Sequence, residues 1–130
     1  MDIQLTSVEK TLFVPLLGKA SDYREKSSIL ADKKADEIIN HMNYDFSSMK
    51  EGSIGNSMAC LRAKIIDNLA KEFIIPNKEN VVLHLGCGLD SRYNRIGMAN
   101  IYWYDIDFRE VTVADSIISL CEHISVLGAT

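Results

Sequence analysis

The chain is poor in the residues that would mark it as anything but an ordinary folded domain. It has two prolines, Pro15 and Pro76, among 130 residues, too few for an extended or collagen-like chain. Its three cysteines, Cys60, Cys87 and Cys121, are odd in number and far apart, with no Cys-x-x-Cys. That argues against a disulfide framework and for a reducing, cytoplasmic setting. Basic charge is in deficit: 14 Lys and Arg stand against 18 Asp and Glu, a net −4. Nucleic-acid binding, which needs a basic face to displace counterions, is not expected. No apolar run approaches the ~20 residues of a membrane span. The start, Met1-Asp2-Ile3-Gln4, lacks the basic and apolar stretches of a signal peptide. What remains is 47% hydrophobic and 25% charged, a composition able to bury a core within a single domain.

The first 75 residues or so read as a helical region and residues 76–130 as an α/β region. Thr6-Ser7-Val8-Glu9 has the form of a capping box. The apolar stretch Thr11–Ala20 follows, and Pro15 within it predicts a kinked helix or two short ones. Asp32 is placed to cap a second helix to about Met42, whose stripe is Ala35, Ile38, Ile39 and Met42. Asn43 to Asn56 reads as a loop. A third helix, capped at Asn56 or Ser57, carries Met58, Leu61, Ile65, Leu69 and Phe73 along one face and stops before Pro76-Asn77.

The pattern then changes period. Val81-Val82-Leu83-His84-Leu85 is a short apolar, β-branched run, the signature of a strand buried on both faces. Gly86-Cys87-Gly88 ends it. A second strand runs from Ile101 to Asp107, and the gap between has room for a short helix and a turn. A helix is expected from Arg109 to about His123, then a small tail.

Glycines directly after a buried strand let the backbone turn sharply and approach a ligand without a Cβ in the way. Asp107 lies about twenty residues further on, where a nucleotide-binding α/β fold places the carboxylate that accepts from ribose hydroxyls. Strand, Gly-x-Gly, strand and terminal acid together point to an adenosine-containing cofactor. Ser91 stands where a dinucleotide fingerprint has its third glycine, which weakens a nicotinamide reading. Asp105 shares a face with Asp107, but the strand end favours the latter. Cys87 reads as a small filler with no basic partner in view, and His84 as a hydrogen-bonded core histidine. His41 and His123 have no metal-ligand spacing. Asp90 and Arg92 could orient the loop by pairing instead of touching a ligand.

Leu85-Gly86-Cys87-Gly88-Leu89-Asp90-Ser91-Arg92 resembles the glycine loop of the leucine carboxyl methyltransferase family, which also includes bacterial polyketide-type O-methyltransferases. Glu9–Leu16, Cys60–Asp67 and Tyr102–Asp107 are similar to three further family motifs, in the family's order. The resemblance implies a class I methyltransferase: a helical cap followed by the start of a Rossmann-like doubly wound sheet, using S-adenosylmethionine. It implies that Arg62, assisted by Lys19, pairs with the methionyl carboxylate. Gly86, Gly88 and Asp90 would form the loop at the cofactor, with loop amides facing its methionyl part, and Asp107 would hold the ribose. A planar guanidinium suits a carboxylate because it donates two parallel hydrogen bonds.

Two departures stand out. Asp107-Phe108-Arg109-Glu110 lacks the proline that family members carry there, and members continue well beyond this length. The expectation is an incomplete O-methyltransferase acting on a carboxyl or hydroxyl oxygen of an acceptor the sequence does not identify. The alternatives are a non-catalytic remnant or binding module, which would oligomerise through an exposed sheet edge, and a nicotinamide-binding Rossmann protein.

Overall fold

A computed structural model describes residues 11–42, 44–49, 53–97, 99–109, 111 and 125–129. The chain divides into two compact units, Met1–Ile66 and Asp67–Thr130.

In the first unit, helix α1 (Phe13–Tyr23) is uninterrupted. Pro15 does not split it, because it falls in the first turn, where an N–H has no intrahelical acceptor to lose. The capping box expected at Thr6–Glu9 lies outside the described residues. The chain then turns around one carboxylate. Asp22 accepts from the Ser28 hydroxyl at 2.7 Å and from the amides of Ile29 and Leu30, each at 2.9 Å. Burial pushes the Asp22 carboxyl up, but these bonds and one from the Ala31 amide together hold it below the ordinary carboxylate value. Helix α2 (Lys33–His41) starts as the sequence predicts, with the Asp32 side chain accepting from the Ala35 amide at 3.0 Å. Ala35, Ile38 and Ile39 are buried, as are Phe13, Leu16 and Ala20 of α1. Phe13, Tyr44 and Phe46 form an aromatic cluster with centroids 5.0–5.6 Å apart.

Helix α3 (Ser53–Phe73) begins earlier than the expected cap at Asn56 or Ser57, which lie inside it. Its apolar stripe is also not its buried side. Met58, Leu61, Ile65, Leu69 and Phe73 are all exposed, whereas Cys60, Ala63 and Asp67 are buried. Cys60 and Ala63 are small and pack closely with Ile29 and Leu30, and Asp67 is held by charge pairing. Close approach and pairing, not the largest apolar area, select the inward side.

In the second unit, the end of α3 leads into a turn closed by Asn80, whose amide group accepts from the Ile75 N–H and donates to the carbonyls of Ile75 and Lys78. Strand β1 (Asn80–Leu85), the short helix α4 (Arg92–Ile96), strand β2 (Ile101–Phe108) and strand β3 (Ser125–Ala129) follow. The sheet is parallel throughout, in the order β1-β2-β3. The fold class is the expected one: helices first, then an α/β segment with a parallel sheet.

β3 lies where the sequence reading expected only a tail; its signal is the short β-branched run Ile124-Ser125-Val126-Leu127. Arg109 and Val111 are helical, and the rest of the helix expected to about His123 lies outside the described residues.

β1 is not buried on both faces. Val81, Leu83 and Leu85 are 66%, 59% and 70% exposed and align with Tyr102, Tyr104 and Ile106 of β2. The opposite face carries Val82 and His84 beside Trp103 and Asp105. There Ile74 and Ile96 pack on Trp103, with Ala70, Val82, Tyr93 and Ile101 around them. Among the described residues of this unit, helical packing covers that face alone. Hence β1 alternates where a doubly covered strand would not.

Candidate functional site

The Gly86-Cys87-Gly88 turn sits at the carboxyl end of β1, beside the end of β2. Gly86 and Gly88 adopt φ of 63° and 57°, left-handed values that a side chain disfavours. A Cβ placed on Gly86 would meet open space, so its glycine is required by the turn and leaves one flank of the backbone uncovered.

The turn's amides at Gly86, Gly88 and Asp90 are already used. Gly86 N–H donates to the Ile106 carbonyl at 2.8 Å and Asp90 N–H to the Cys87 carbonyl at 3.2 Å. Gly88 N–H donates to Asp107 Oδ2 at 2.8 Å, and the other Asp107 oxygen accepts from the Phe108 amide at 2.7 Å. The loop therefore offers a ligand the open flank of Gly86. Asp107 latches the turn to the end of β2. A carboxylate has about four lone-pair sites, so these two bonds leave Asp107 able to accept from hydroxyls as well.

Asp105, the other acid on that face, is 2% exposed and committed elsewhere. It accepts from the Trp103 indole at 2.8 Å and pairs with His84 Nδ1 at 2.7 Å. Arg92 Nη1 lies 3.0 Å from His84 Nε2. Arginine can only donate, so Nε2 accepts and the His84 proton sits on Nδ1, toward Asp105. His84 is a hydrogen-bonded core histidine, as expected. Cys87 and Cys60 are buried as thiols.

Asp90 does not face away from the protein. Its carboxylate is paired with Arg95 Nη1 at 2.7 Å and Arg92 Nη2 at 3.3 Å. Both arginines also reach Asp67: Arg92 Nε at 2.8 Å, Arg95 Nε at 2.7 Å. Sequence reasoning gave no role to Asp67 and missed Arg95 altogether. The available signal was the Arg92-x-x-Arg95 spacing directly after Asp90, which puts both guanidiniums on one face of a helical turn.

The remaining two expected cofactor residues belong to the first unit. Lys19 of α1 is buried, and Arg62 of α3 is exposed to solvent. This unit also holds a cavity of about 270 Å³ lined by residues that include Leu17, Gly18, Arg24, Phe46 and Asn56. A Cβ on Gly18 would stand 3.0 Å from Asn56 Oδ1, so glycine permits that close approach.

The leucine carboxyl methyltransferase family model matches residues 15–114. The tetracenomycin polyketide synthesis O-methyltransferase of Streptomyces glaucescens is 36% identical over 110 residues, which cover 84% of this chain and 41% of that protein. The S-adenosyl-L-methionine-dependent methyltransferase dpfgK of Gibberella zeae is 28% identical over 120 residues, 84% of this chain and 40% of its own. The chain thus spans about two fifths of the length of these curated relatives. No solved structure matches it.

Proposed function

This chain belongs to the leucine carboxyl methyltransferase family, and we propose that it is the cofactor-holding part of an S-adenosylmethionine-dependent O-methyltransferase acting on a carboxyl or hydroxyl oxygen. The observation that carries this reading is the glycine turn at the end of β1, open on the Gly86 flank and latched by Asp107 from the end of the neighbouring parallel strand. Ligands of open parallel sheets sit beyond the carboxyl ends of their strands. The relatives' names, an O-methyltransferase and an S-adenosyl-L-methionine-dependent methyltransferase, support the same chemistry.

The residues fit such a cofactor. Within the second unit, Gly86 and Gly88 let the backbone lie against its methionyl part and Asp107 has lone pairs left for ribose hydroxyls; in the first unit, Arg62 carries an exposed guanidinium of the kind that pairs with a carboxylate. Asp90 fixes the turn, and Lys19, buried in the first unit, is the residue that the family resemblance sets beside Arg62. When bound, the cofactor supplies an electrophilic methyl on sulfur, which an acceptor oxygen displaces. The protein's contribution is alignment of the two partners, which can supply most of such a rate. The buried thiols Cys60 and Cys87 fit a cytoplasmic, reducing setting.

Calorimetric titration with S-adenosylmethionine and with its demethylated product tests the reading. Saturable binding is expected. Neither heat nor thermal stabilisation with either ligand overturns it.

The apolar sheet face at Val81, Leu83 and Leu85 favours a second reading, a binding module that associates with a second copy of itself. A monodisperse monomer in sedimentation equilibrium removes it.

A further inference from the structure

The ion-pair cluster beneath the glycine turn is a poor source of stability. Its side chains are nearly dry: Asp67 is 4% exposed, Arg95 7%, Asp90 12% and Arg92 14%. Taking four charges out of water costs about as much as their pairing returns, and apolar packing of similar volume stabilises as well. What paired forks supply that apolar packing does not is direction.

The directions converge on one carboxylate from α3. Asp67 Oδ1 accepts from Arg92 Nε at 2.8 Å and from Arg95 Nη2 at 3.2 Å, and Asp67 Oδ2 accepts from Arg95 Nε at 2.7 Å. Arg95 then turns its Nη1 to Asp90 at 2.7 Å and to the Ser91 hydroxyl at 3.3 Å. Arg92 continues to His84, and His84 to Asp105. Asp67 is therefore the hub through which helix α3 sets the position of Asp90, the residue that closes the Gly86–Asp90 turn. The two acids and two arginines balance in charge, and His84 joins as a neutral spacer because Arg92 donates to it.

We propose that Asp67 is a positioning residue for the cofactor loop: it touches no ligand, and holds the Gly86–Asp90 turn in its ligand-ready shape through Arg92, Arg95 and Asp90. This rests on the cofactor reading above, and deepens it. Asp67→Asn is the sharpest variant, since it keeps the volume and removes the charge. One guanidinium then faces an amide N–H where it had a carboxylate oxygen.

Three measurements on the full chain decide the matter: affinity for the demethylated product by calorimetry, amide hydrogen exchange, and urea stability. In Asp67→Asn the affinity falls about tenfold or more, the scale of losing a charged hydrogen bond in a buried site. Exchange accelerates at residues 86–91 while the β1 amides stay protected. Asp67→Glu, which retains both oxygens, recovers part of the affinity. Unchanged affinity and unchanged loop exchange overturn the proposal. So does a uniform loss of protection across β1 and the loop, the mark of a merely structural acid.

If the wild-type chain binds neither ligand, the functional reading fails, yet loop exchange in the variant still decides the role of Asp67. If Asp67→Asn does not fold, Arg95→Lys replaces it, keeping the charge and losing the two-pronged contact. Faster exchange at 86–91 in that folded variant supports the role of Asp67, and unchanged exchange overturns it.

Discussion

The two faces of the small parallel sheet are built from the same kinds of residue and do opposite things. On one, Trp103 is enclosed by Ile74, Ile96, Val82 and Tyr93, and a chain of hydrogen bonds runs from its indole through Asp105 and His84 to Arg92. On the other, Val81, Leu83, Leu85, Tyr102 and Phe108 are exposed. Side chains alternate along a strand, so neighbours in sequence fall into these two worlds. Apolar character alone does not say which face is core; the helices that reach it do.

The largest effect should follow from emptying the covered face. Trp103→Ala removes a side chain that is 2% exposed and packs against both Ile74 and Ile96. The expected cost is about 3–5 kcal/mol, enough to unfold the second unit in dilute urea as followed by far-ultraviolet circular dichroism. A loss under about 1 kcal/mol would mean that Trp103 is not the centre of this core.

The contrast between faces also shows what the sequence conveys and what it withholds. Both predicted strands, the Asp32 cap and the glycine turn were legible because each is local: a β-branched run, a capping acid, a pair of glycines. The bare face was not legible, since Val81-Val82-Leu83 reads the same whether one face or both are covered. Nor was the inward side of α3. Met58, Leu61 and Ile65 make the stronger stripe, but Cys60 and Ala63 permit the closer contact. Asp67 did not stand out because its partners, Arg92 and Arg95, lie well beyond it on another helix. Of the site, Gly86, Gly88 and Asp107 were readable as a turn and a strand-end acid. That Asp107 latches the Gly88 amide is a consequence of strand register, which no residue announces singly.

A smaller loss is expected from Asp105→Asn, which leaves the packing of the covered face intact and removes only its charge. The Trp103 indole and His84 Nδ1–H both donate to one oxygen, Asp105 Oδ1, so an asparagine oxygen in that place keeps both bonds while its amide nitrogen replaces Oδ2. What is lost is the charge assistance of the two bonds, at about 1 kcal/mol. Urea denaturation followed by the emission of Trp103, the chain's single tryptophan, measures the cost, and ring-nitrogen chemical shifts of His84 report the tautomer. The Nδ1–H tautomer is expected to persist, and an unchanged midpoint would show that the charge of Asp105 does not constrain this face.

The smallest effect belongs to the bare face. Leu83→Thr keeps strand propensity through the branched Cβ and exchanges an exposed apolar surface for a polar one. Because Leu83 is 59% exposed, little burial is lost, and the unfolding midpoint should move by no more than about 0.5 kcal/mol in equivalent free energy. Its effect should appear in association instead, as weaker self-association in sedimentation and less binding of an apolar dye. A large loss of stability would mean that Leu83 is covered in solution, and the two faces would then not differ as their exposure indicates. The comparison with Trp103→Ala is therefore direct: two apolar residues on adjacent strands of one sheet, one decisive for stability and the other for what the sheet meets outside itself.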